Sequence, residues 1–230
     1  KQKLGKYGNA DVYQRCLNQF IKYDNKTEGF DYYDYQWFLD FKVHKKMVGI
    51  ADNTISHYLR TARAVWNEAL NRDIIKENIN PFKKGLIPAP EQTRKRNISG
   101  DEIKAVLSYQ PKNETEGLIK DIFLFGFYSI GMDLVDIVHL TEENIVSGRI
   151  EYNRMKTGQP LSIKINHELN EILNKYKGQG PFIFPLLIIH KNSGPEGIKK
   201  YNYVRIRYSK VLNQIKNNIG LEKELSSKVT

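Results

Sequence analysis

DIFLFGFYSIGMDLVDIVHLTEENIVSGRIEYNRMKTGQPLSIKI, residues 121–165, is the stretch that decides the fold of this 230-residue chain. Its apolar run, residues 122–128, is too dense for a surface helix and predicts a helix buried in the centre of a domain. Gly131 interrupts that helix. Apolar residues at helical spacing then resume at Leu134, Ile137, Val138 and Leu140.

The periodicity of the same stretch changes after Gly148. Ile150 and Tyr152 alternate with polar residues, and a second alternating run follows at Leu161, Ile163 and Ile165. Two alternating runs around a Thr157-Gly158 turn predict a β-hairpin, with Lys156 near its tip.

This order of elements resembles the catalytic domain of the tyrosine recombinases, the phage-integrase family. The segment IGMDLVDIVHL, residues 130–140, is similar to the family's first box, Gly-x-Arg-x-x-Glu-Leu-x-x-Leu, with Gly131 as the glycine and Asp136 as the acid. The hairpin carrying Lys156-Thr157-Gly158 is similar to the family's catalytic-lysine hairpin. The resemblance covers most of the chain, from about Gly5, and is greatest to integrases of Bacteroides-type conjugative transposons and prophages.

Two departures from the family pattern bear on activity. Asp133 stands where the family has its first catalytic arginine, although integrases of the Bacteroides type often lack that arginine. The family's His-x-x-Arg box, its later His or Trp and its nucleophilic tyrosine have no counterpart in residues 1–230. The resemblance therefore implies a truncated catalytic domain, and we expect no strand exchange from this polypeptide as it stands.

The composition favours a polyanionic partner. The net charge is +10 with a pI near 9.4, and most of the positive excess lies in residues 1–97. A charge of this sign supports binding to a phosphate backbone, although it also aids solubility. Cys16 is the single cysteine, so no intrachain disulfide forms, as suits a cytoplasmic protein. No apolar run approaches the length that spans a membrane.

The N-terminal part of the chain predicts a small helical bundle. Three amphipathic helices are expected, beginning near Gly8, spanning Tyr32 to Lys46, and running from about Ala51 to Arg72. Their inward positions are, helix by helix, Val12, Cys16, Leu17, Phe20 and Ile21; Trp37, Phe38, Phe41 and Val43; Ile55, Leu59, Ala62, Trp66 and Ala69. The bundle resembles the SAM-like core-binding domain of the family.

The remaining elements predict a mainly helical catalytic domain with a small antiparallel sheet. Ser99 and Glu102 form a capping box for a helix to about Tyr109. Asn166 caps a further helix, residues 181–185 form a strand or extended piece, and residues 201–218 are helical. We therefore predict a mainly α, α+β chain with a SAM-like helical domain over residues 1–86, a basic linker over 87–97 and a partial catalytic domain over 98–230.

The chemistry implied by the resemblance centres on the hairpin. Lys156 takes the family's general-acid role, against the alternative of an ordinary exposed lysine in a turn. Asp136 supports the site by hydrogen bonding, against the alternative of a helix-surface acid. Asp133 cannot stabilise the charge of a phosphate, so Arg154 or Arg149 is a candidate for the missing cation. The alternative is that Arg154 is an ordinary arginine on an exposed face of the sheet.

DNA contacts are predicted mainly on the third helix. Its polar face presents residues of the types that grip phosphates and read bases, namely Asn53, Thr54, His57, Arg60, Arg63 and Asn67. Further phosphate contacts are predicted at Lys45, Lys46, Arg94, Lys95 and Arg96. The alternative for each of these groups is a solvated basic face.

The resemblance implies site-specific recombination that integrates or excises a mobile element, in a tetrameric synapse on double-stranded DNA. No metal or other cofactor is expected, since the histidines lack zinc-ligand spacing and no second acidic cluster supports Asp121, Asp133 and Asp136 as a nuclease site. Two alternatives are a non-catalytic DNA-binding protein and a basic helical scaffold that binds protein partners.

Overall fold

The computed structural model describes residues 7–76, 80–92, 98–187, 189–222 and 224–226. The chain divides into two compact units, residues 1–94 and residues 95–230. The predicted fold class is confirmed: the elements are mainly α-helices, with one small antiparallel sheet in the second unit. The finer boundaries at residues 86 and 97 stay a prediction.

The described residues of the N-terminal unit form three α-helices, α1 (Tyr7–Tyr23), α2 (Tyr35–Met47) and α3 (Asp52–Asn71). Helix α2 begins where the Asp34 carboxylate accepts a hydrogen bond from the Trp37 backbone N–H at 2.8 Å. The three helices surround a core of mostly aromatic and aliphatic side chains, namely Phe38, Phe41, Ile55, Leu59, Trp66 and Leu86. The Trp37 indole packs against this core and donates to Asp24 at 2.8 Å.

Three predicted core positions of this unit are exposed instead. Leu17 and Ile21 are each nearly half exposed, because α1 packs inward through Cys16 while they line an open apolar groove of about 420 Å³. Val43 is also nearly half exposed, since the buried stripe of α2 continues from Phe41 to Lys45. Helix α2 starts three residues later than predicted, because residues 30–32 form a separate 3-10 turn.

In the described part of the C-terminal unit, five α-helices pack around an apolar core. They are α4 (Gly100–Ser108), α5 (Glu114–Tyr128), the single turn α6 (Leu134–Ile137), α7 (His167–Tyr176) and α8 (Gly194–Asn218). Helix α5 is the predicted central helix, and Ile119, Ile122 and Phe125 within it have no exposed surface. The Ser99 capping box and the Asn166 N-cap are both present, with Ser99 accepting from the Glu102 N–H and Asn166 from the Leu169 N–H.

The sheet contains the predicted hairpin and one strand that was not predicted. Its strands are β1 (Ile145–Val146), β2 (Arg149–Asn153) and β3 (Pro160–Lys164), in that spatial order. In the hairpin, Ile150 pairs with Ile163 and Tyr152 with Leu161, so the alternating apolar residues share one face. Gly158 takes a φ of +74°, which suits the glycine of the predicted turn.

Two other predictions for this unit need correction. Residues 181–185 form bends and a turn rather than a strand; the Ile183 N–H donates to the Leu140 carbonyl at 2.8 Å, outside any sheet. Helix α8 begins at Gly194, seven residues before the predicted start. None of the helices in the described part of the chain combines the length and apolarity that crossing a bilayer requires.

Candidate functional site

A buried carboxylate joins α6 to the hairpin tip. Asp136 is only 3% exposed, and its Oδ1 accepts a hydrogen bond from the Met155 backbone N–H at 2.9 Å. Met155 directly precedes Lys156, so this bond fixes the backbone from which the predicted general acid projects. Among the described residues, the Asp136 Oδ2 has no hydrogen-bond partner.

The turn that carries Lys156 is closed by its own backbone. The Arg154 carbonyl accepts from Gly158 N–H at 2.7 Å and Thr157 N–H at 3.2 Å, and the Arg154 N–H donates to Gln159. The Lys156 side chain is exposed at this tip. The structure therefore presents a lysine to solvent on a backbone that Asp136 holds in place.

The two proposed substitute cations lie in different surroundings. Arg154 forms an ion pair with Asp133, Nη2 to Oδ2 at 2.8 Å, with both side chains partly buried. This guanidinium therefore lies beside the position where the family has its first arginine. Arg149 instead bonds to the side chain and carbonyl of Ser162 on the neighbouring strand.

Electrostatics around Asp136 show how closely these groups converge. Burial raises the pKa of the Asp136 carboxyl, and the nearby charge of Asp133 adds to that rise. The Met155 hydrogen bond and the charges of Arg154 and Lys191 oppose it. Burial also raises the pKa of Tyr152 to about 12, so this phenol stays protonated at neutral pH.

The environment of Asp136 gives a test by substitution. Asp136→Ala is expected to destabilise the chain by about 1–3 kcal/mol at neutral pH, because the Met155 N–H loses its acceptor. Asp136→Asn keeps that acceptor and is expected to stay within about 1 kcal/mol of the native chain. Thermal unfolding of both variants measures the difference.

The pH dependence of the Asn variant is a second readout. Because burial raises the pKa of Asp136 in the folded chain, folding stability is lost as the pH rises from the ordinary carboxyl pKa to the raised one, and the loss is complete above it. Asn cannot ionise, so its contribution to stability does not change over this range. The free energy of unfolding of Asp136→Asn, relative to that of the native chain, should therefore be highest near neutral pH and lower in acid. Equal stability of Asp136→Ala and Asp136→Asn would contradict the supporting role of the hydrogen bond.

His139 holds a neighbour that the sequence did not reveal, the backbone of Lys191. His139 is 9% exposed; its Nδ1 donates to the Val135 carbonyl at 2.6 Å, and its Nε2 accepts from the Lys191 backbone N–H at 2.9 Å. Burial lowers the pKa of His139 to about 4, so the ring is neutral at physiological pH. The sequence offers no signal for this contact, because the two residues lie 52 positions apart.

Several of the predicted DNA-contact residues are exposed on α3. Thr54, His57, Arg60, Arg63 and Asn67 are accessible, and within the described ranges neither Arg60 nor Arg63 forms an ion pair. The opposite face of α3 carries the predicted core stripe, with Ile55 and Leu59 fully buried. The helix thus presents two uncompensated guanidinium groups to solvent.

Other predicted contacts are occupied within the protein. Lys45 is 7% exposed and its ammonium bonds to Gln19 at 3.3 Å. Lys46 pairs with Asp52 at 2.9 Å. The Asn53 amide exchanges two hydrogen bonds with the Glu91 backbone, at 2.9 and 3.0 Å. The predicted contacts Arg94, Lys95 and Arg96 lie outside the described residues.

Comparison with protein families assigns the N-terminal unit. Residues 1–86 match the family model described as the phage integrase SAM-like domain. Residues 1–86 are similar to a phage integrase SAM-like domain. The match covers α1 to α3 and the buried Leu86, and so includes the exposed basic face of α3. No curated protein matches the chain in sequence.

Solved structures extend the integrase likeness to the whole chain. A lambda integrase dimer bound to a COC′ core site shares 15% identity, with a TM-score of 0.68 over 98% of this chain and 75% of that one. A lambda integrase tetramer bound to a Holliday junction shares 15% identity, with a TM-score of 0.66 over 98% and 60%. The Tn1549 transposon integrase in complex with circular intermediate DNA shares 17% identity, with a TM-score of 0.59 over 95% and 75%.

These likenesses confirm the predicted tyrosine recombinase resemblance and place both units in the integrase fold. In the described part of this integrase-fold chain, no group of three or more His, Cys, Asp or Glu side chains is arranged to hold a metal ion. The residues that converge in the C-terminal unit are instead acid–base and ion-pair partners around Asp136.

Proposed function

We propose that this chain binds double-stranded DNA and serves site-specific recombination of a mobile element, as part of an integrase-type tyrosine recombinase. The carrying observation is the hairpin: Asp136 fixes the backbone next to Lys156 within an integrase fold. The SAM-like domain of residues 1–86 and the DNA in the similar structures support a DNA substrate. We assign the protein to the cytoplasm, because the proposed DNA substrate is found there and because cytoplasmic proteins keep their cysteines reduced.

The proposed mechanism uses the hairpin lysine as a proton donor. A tyrosine oxygen attacks the scissile phosphorus, a 3′-phosphotyrosine bond forms, and the bond to the 5′-oxygen breaks. Lys156 gives a proton from its ammonium to that departing oxygen. Cations near the phosphate stabilise the charge of the phosphorane-like transition state. No tyrosine of residues 1–230 is assigned the nucleophilic role.

Arg154 is the proposed substitute for the family's first arginine. Its guanidinium lies beside Asp133, 2.8 Å from the carboxylate that takes the arginine's place in the chain. In this arrangement the Asp133 carboxylate compensates the positive charge of the Arg154 guanidinium. That pairing favours a second candidate function, a DNA-binding protein without strand exchange. We further propose a homotetrameric synapse on DNA for the recombinase, by analogy with the lambda integrase tetramer.

Salt dependence tests the proposed DNA binding. Fluorescence anisotropy with a labelled duplex should show affinity falling roughly a thousandfold or more between about 50 and 200 mM salt, as several phosphate contacts require. Replacing both Arg60 and Arg63 with Gln should reduce the slope of log affinity against log salt by about one unit per lost contact.

Arg72→Gln is the matched control for that measurement. It makes the same Arg-to-Gln change once, removing one positive charge at the end of α3, where Arg72 is already paired with Glu68 at 2.6 Å. We expect the control to bind like the native chain. An affinity that does not change with salt would favour the protein-binding scaffold. Equal losses of affinity from Arg72→Gln and from the Arg60/Arg63 double variant would show that the polar face of α3 is not the DNA-binding surface.

A further inference from the structure

Among the described residues, a partly buried lysine near Asp136 has an aromatic ring beside its ammonium but no anion within hydrogen-bond distance. In the described ranges, the ammonium of Lys191 forms neither a hydrogen bond nor an ion pair, and its nitrogen lies 4.9 Å from the centroid of the Tyr201 ring. An ammonium that loses water without gaining a hydrogen-bonded anion is costly in free energy. Exposed lysines are common, whereas the Lys191 ammonium is partly withdrawn from water and has the Tyr201 ring, rather than an anion, beside it in the described part of the chain.

The backbone of Lys191 is held from two directions. His139 Nε2 accepts its N–H at 2.9 Å. On the other side, Gly197 of α8 packs closely against the backbone of this segment. A Cβ at residue 197 would overlap the His190 carbonyl oxygen and lie 2.8 Å from the Lys191 carbonyl oxygen. The residue is therefore fixed by contacts with both α8 and His139, two residues after the end of α6.

The charges around Lys191 leave it uncompensated. Asp136 is near enough for Lys191 to lower the pKa of its carboxyl, yet the two groups form no ion pair, and the Asp136 Oδ2 has no hydrogen-bond partner within the described residues. Arg154, a second cation near Asp136, is already paired with Asp133. Within the described residues, Lys191 is thus a cation near Asp136 that has no ion-pair partner of its own.

We propose that the Lys191 ammonium contacts a phosphate oxygen of the DNA backbone at the site that Lys156 and Arg154 also border. This inference rests on the proposed DNA-binding function and adds a residue to it. Burial lowers the pKa of Lys191, with Arg205 contributing and Asp136 opposing, which agrees with an ammonium that has lost part of its hydration. An anionic oxygen would replace that lost hydration with a charge-assisted hydrogen bond.

The test compares Lys191→Met with Lys104→Met in the full chain. Met retains the apolar stem that packs on Tyr201 and removes the charge, while Lys104 is an exposed lysine of α4 paired with Asp101. By anisotropy with a labelled duplex, Lys191→Met should weaken binding roughly tenfold and reduce the salt slope by about one unit. Lys104→Met should change neither quantity.

Thermal unfolding separates this role from a structural one. Removing an unpaired, desolvated charge should leave the melting temperature of Lys191→Met equal to or above the native value. A variant with the native affinity and salt slope overturns the inference, and so does a variant that loses affinity only because it melts earlier.

A second measurement keeps the inference distinct from the proposed function. If the native chain fails to bind the duplex, the proposed function fails, and inorganic phosphate becomes the probe of Lys191. In ¹H–¹⁵N spectra of lysine ammonium groups, the resonance that Lys191→Met removes should shift saturably with phosphate. A saturable shift supports an anion contact at Lys191, and an unchanged resonance overturns it.

Discussion

Gly197→Ala is expected to lower the free energy of unfolding of the C-terminal unit by about 3 kcal/mol. The added methyl group would overlap the His190 carbonyl oxygen and crowd that of Lys191, both of them backbone atoms that cannot rotate away. Relief requires α8 and the preceding segment to separate, which weakens the packing of the helix that carries Tyr208 and Leu212. Chemical denaturation followed by circular dichroism measures the loss.

Gly117→Ala is the matched control for this prediction. Gly117 also lies within a helix, α5, where the added Cβ would meet nothing nearer than the Pro111 side chain at 3.9 Å. Alanine is the better helix former, so this variant should gain about 0.5–1 kcal/mol. The two substitutions are chemically identical, and a loss of the same size from both would show that close packing at residue 197 is not the cause.

Acid is expected to destabilise the chain through His139 as the pH falls from about 6.5 towards 4. The pKa of this ring is lowered to about 4 by burial, with the charges of His190 and Lys191 adding to that effect and the bond to Val135 opposing it. The unfolded chain therefore binds a proton that the folded chain excludes. The stability contributed by the neutral ring is complete above pH about 6.5, and about 3 kcal/mol of it is lost on reaching pH about 4.

Urea denaturation across this pH range, on the native chain and on His139→Gln, isolates the contribution. Gln does not titrate, so the difference in unfolding free energy between the two proteins should shrink steadily as the pH falls. His167→Gln is the control, since it makes the same His-to-Gln change at a side chain that is largely exposed. A difference that is constant with pH would show that His139 is not the titrating group.

Much of the fold was predictable because it depends on local patterns. The hairpin register follows from the alternation at Ile150, Tyr152, Leu161 and Ile163, and the starts of α4 and α7 follow from the caps at Ser99 and Asn166. These signals act within a few residues, so the sequence displays them directly. The exposure of Leu17 and Ile21 was not predictable, because helical spacing does not say which half of an apolar stripe another helix covers.

The site was predictable in its parts but not in its connections. The resemblance singled out Lys156 and Asp136, yet the bond from Asp136 to Met155 joins residues 19 positions apart. The charge reversal at Asp133 was visible in the sequence, which offered Arg154 and Arg149 as alternative cations, and the tertiary structure is what pairs Arg154 with Asp133. Lys191 carried no sequence signal, because its setting is created by His139 and Gly197 from two other elements.

The aromatic core of the N-terminal unit has an optical consequence. The chain contains two tryptophans, Trp37 and Trp66, and both lie in that unit, whereas tyrosines occur in both units. Indole emission is therefore an intrinsic label for residues 1–94 alone. Selective excitation of tryptophan follows the N-terminal unit without an added fluorophore, whereas far-ultraviolet circular dichroism follows the helices of both units. An unfolding event confined to the C-terminal unit should therefore change the dichroism and leave the tryptophan emission unchanged.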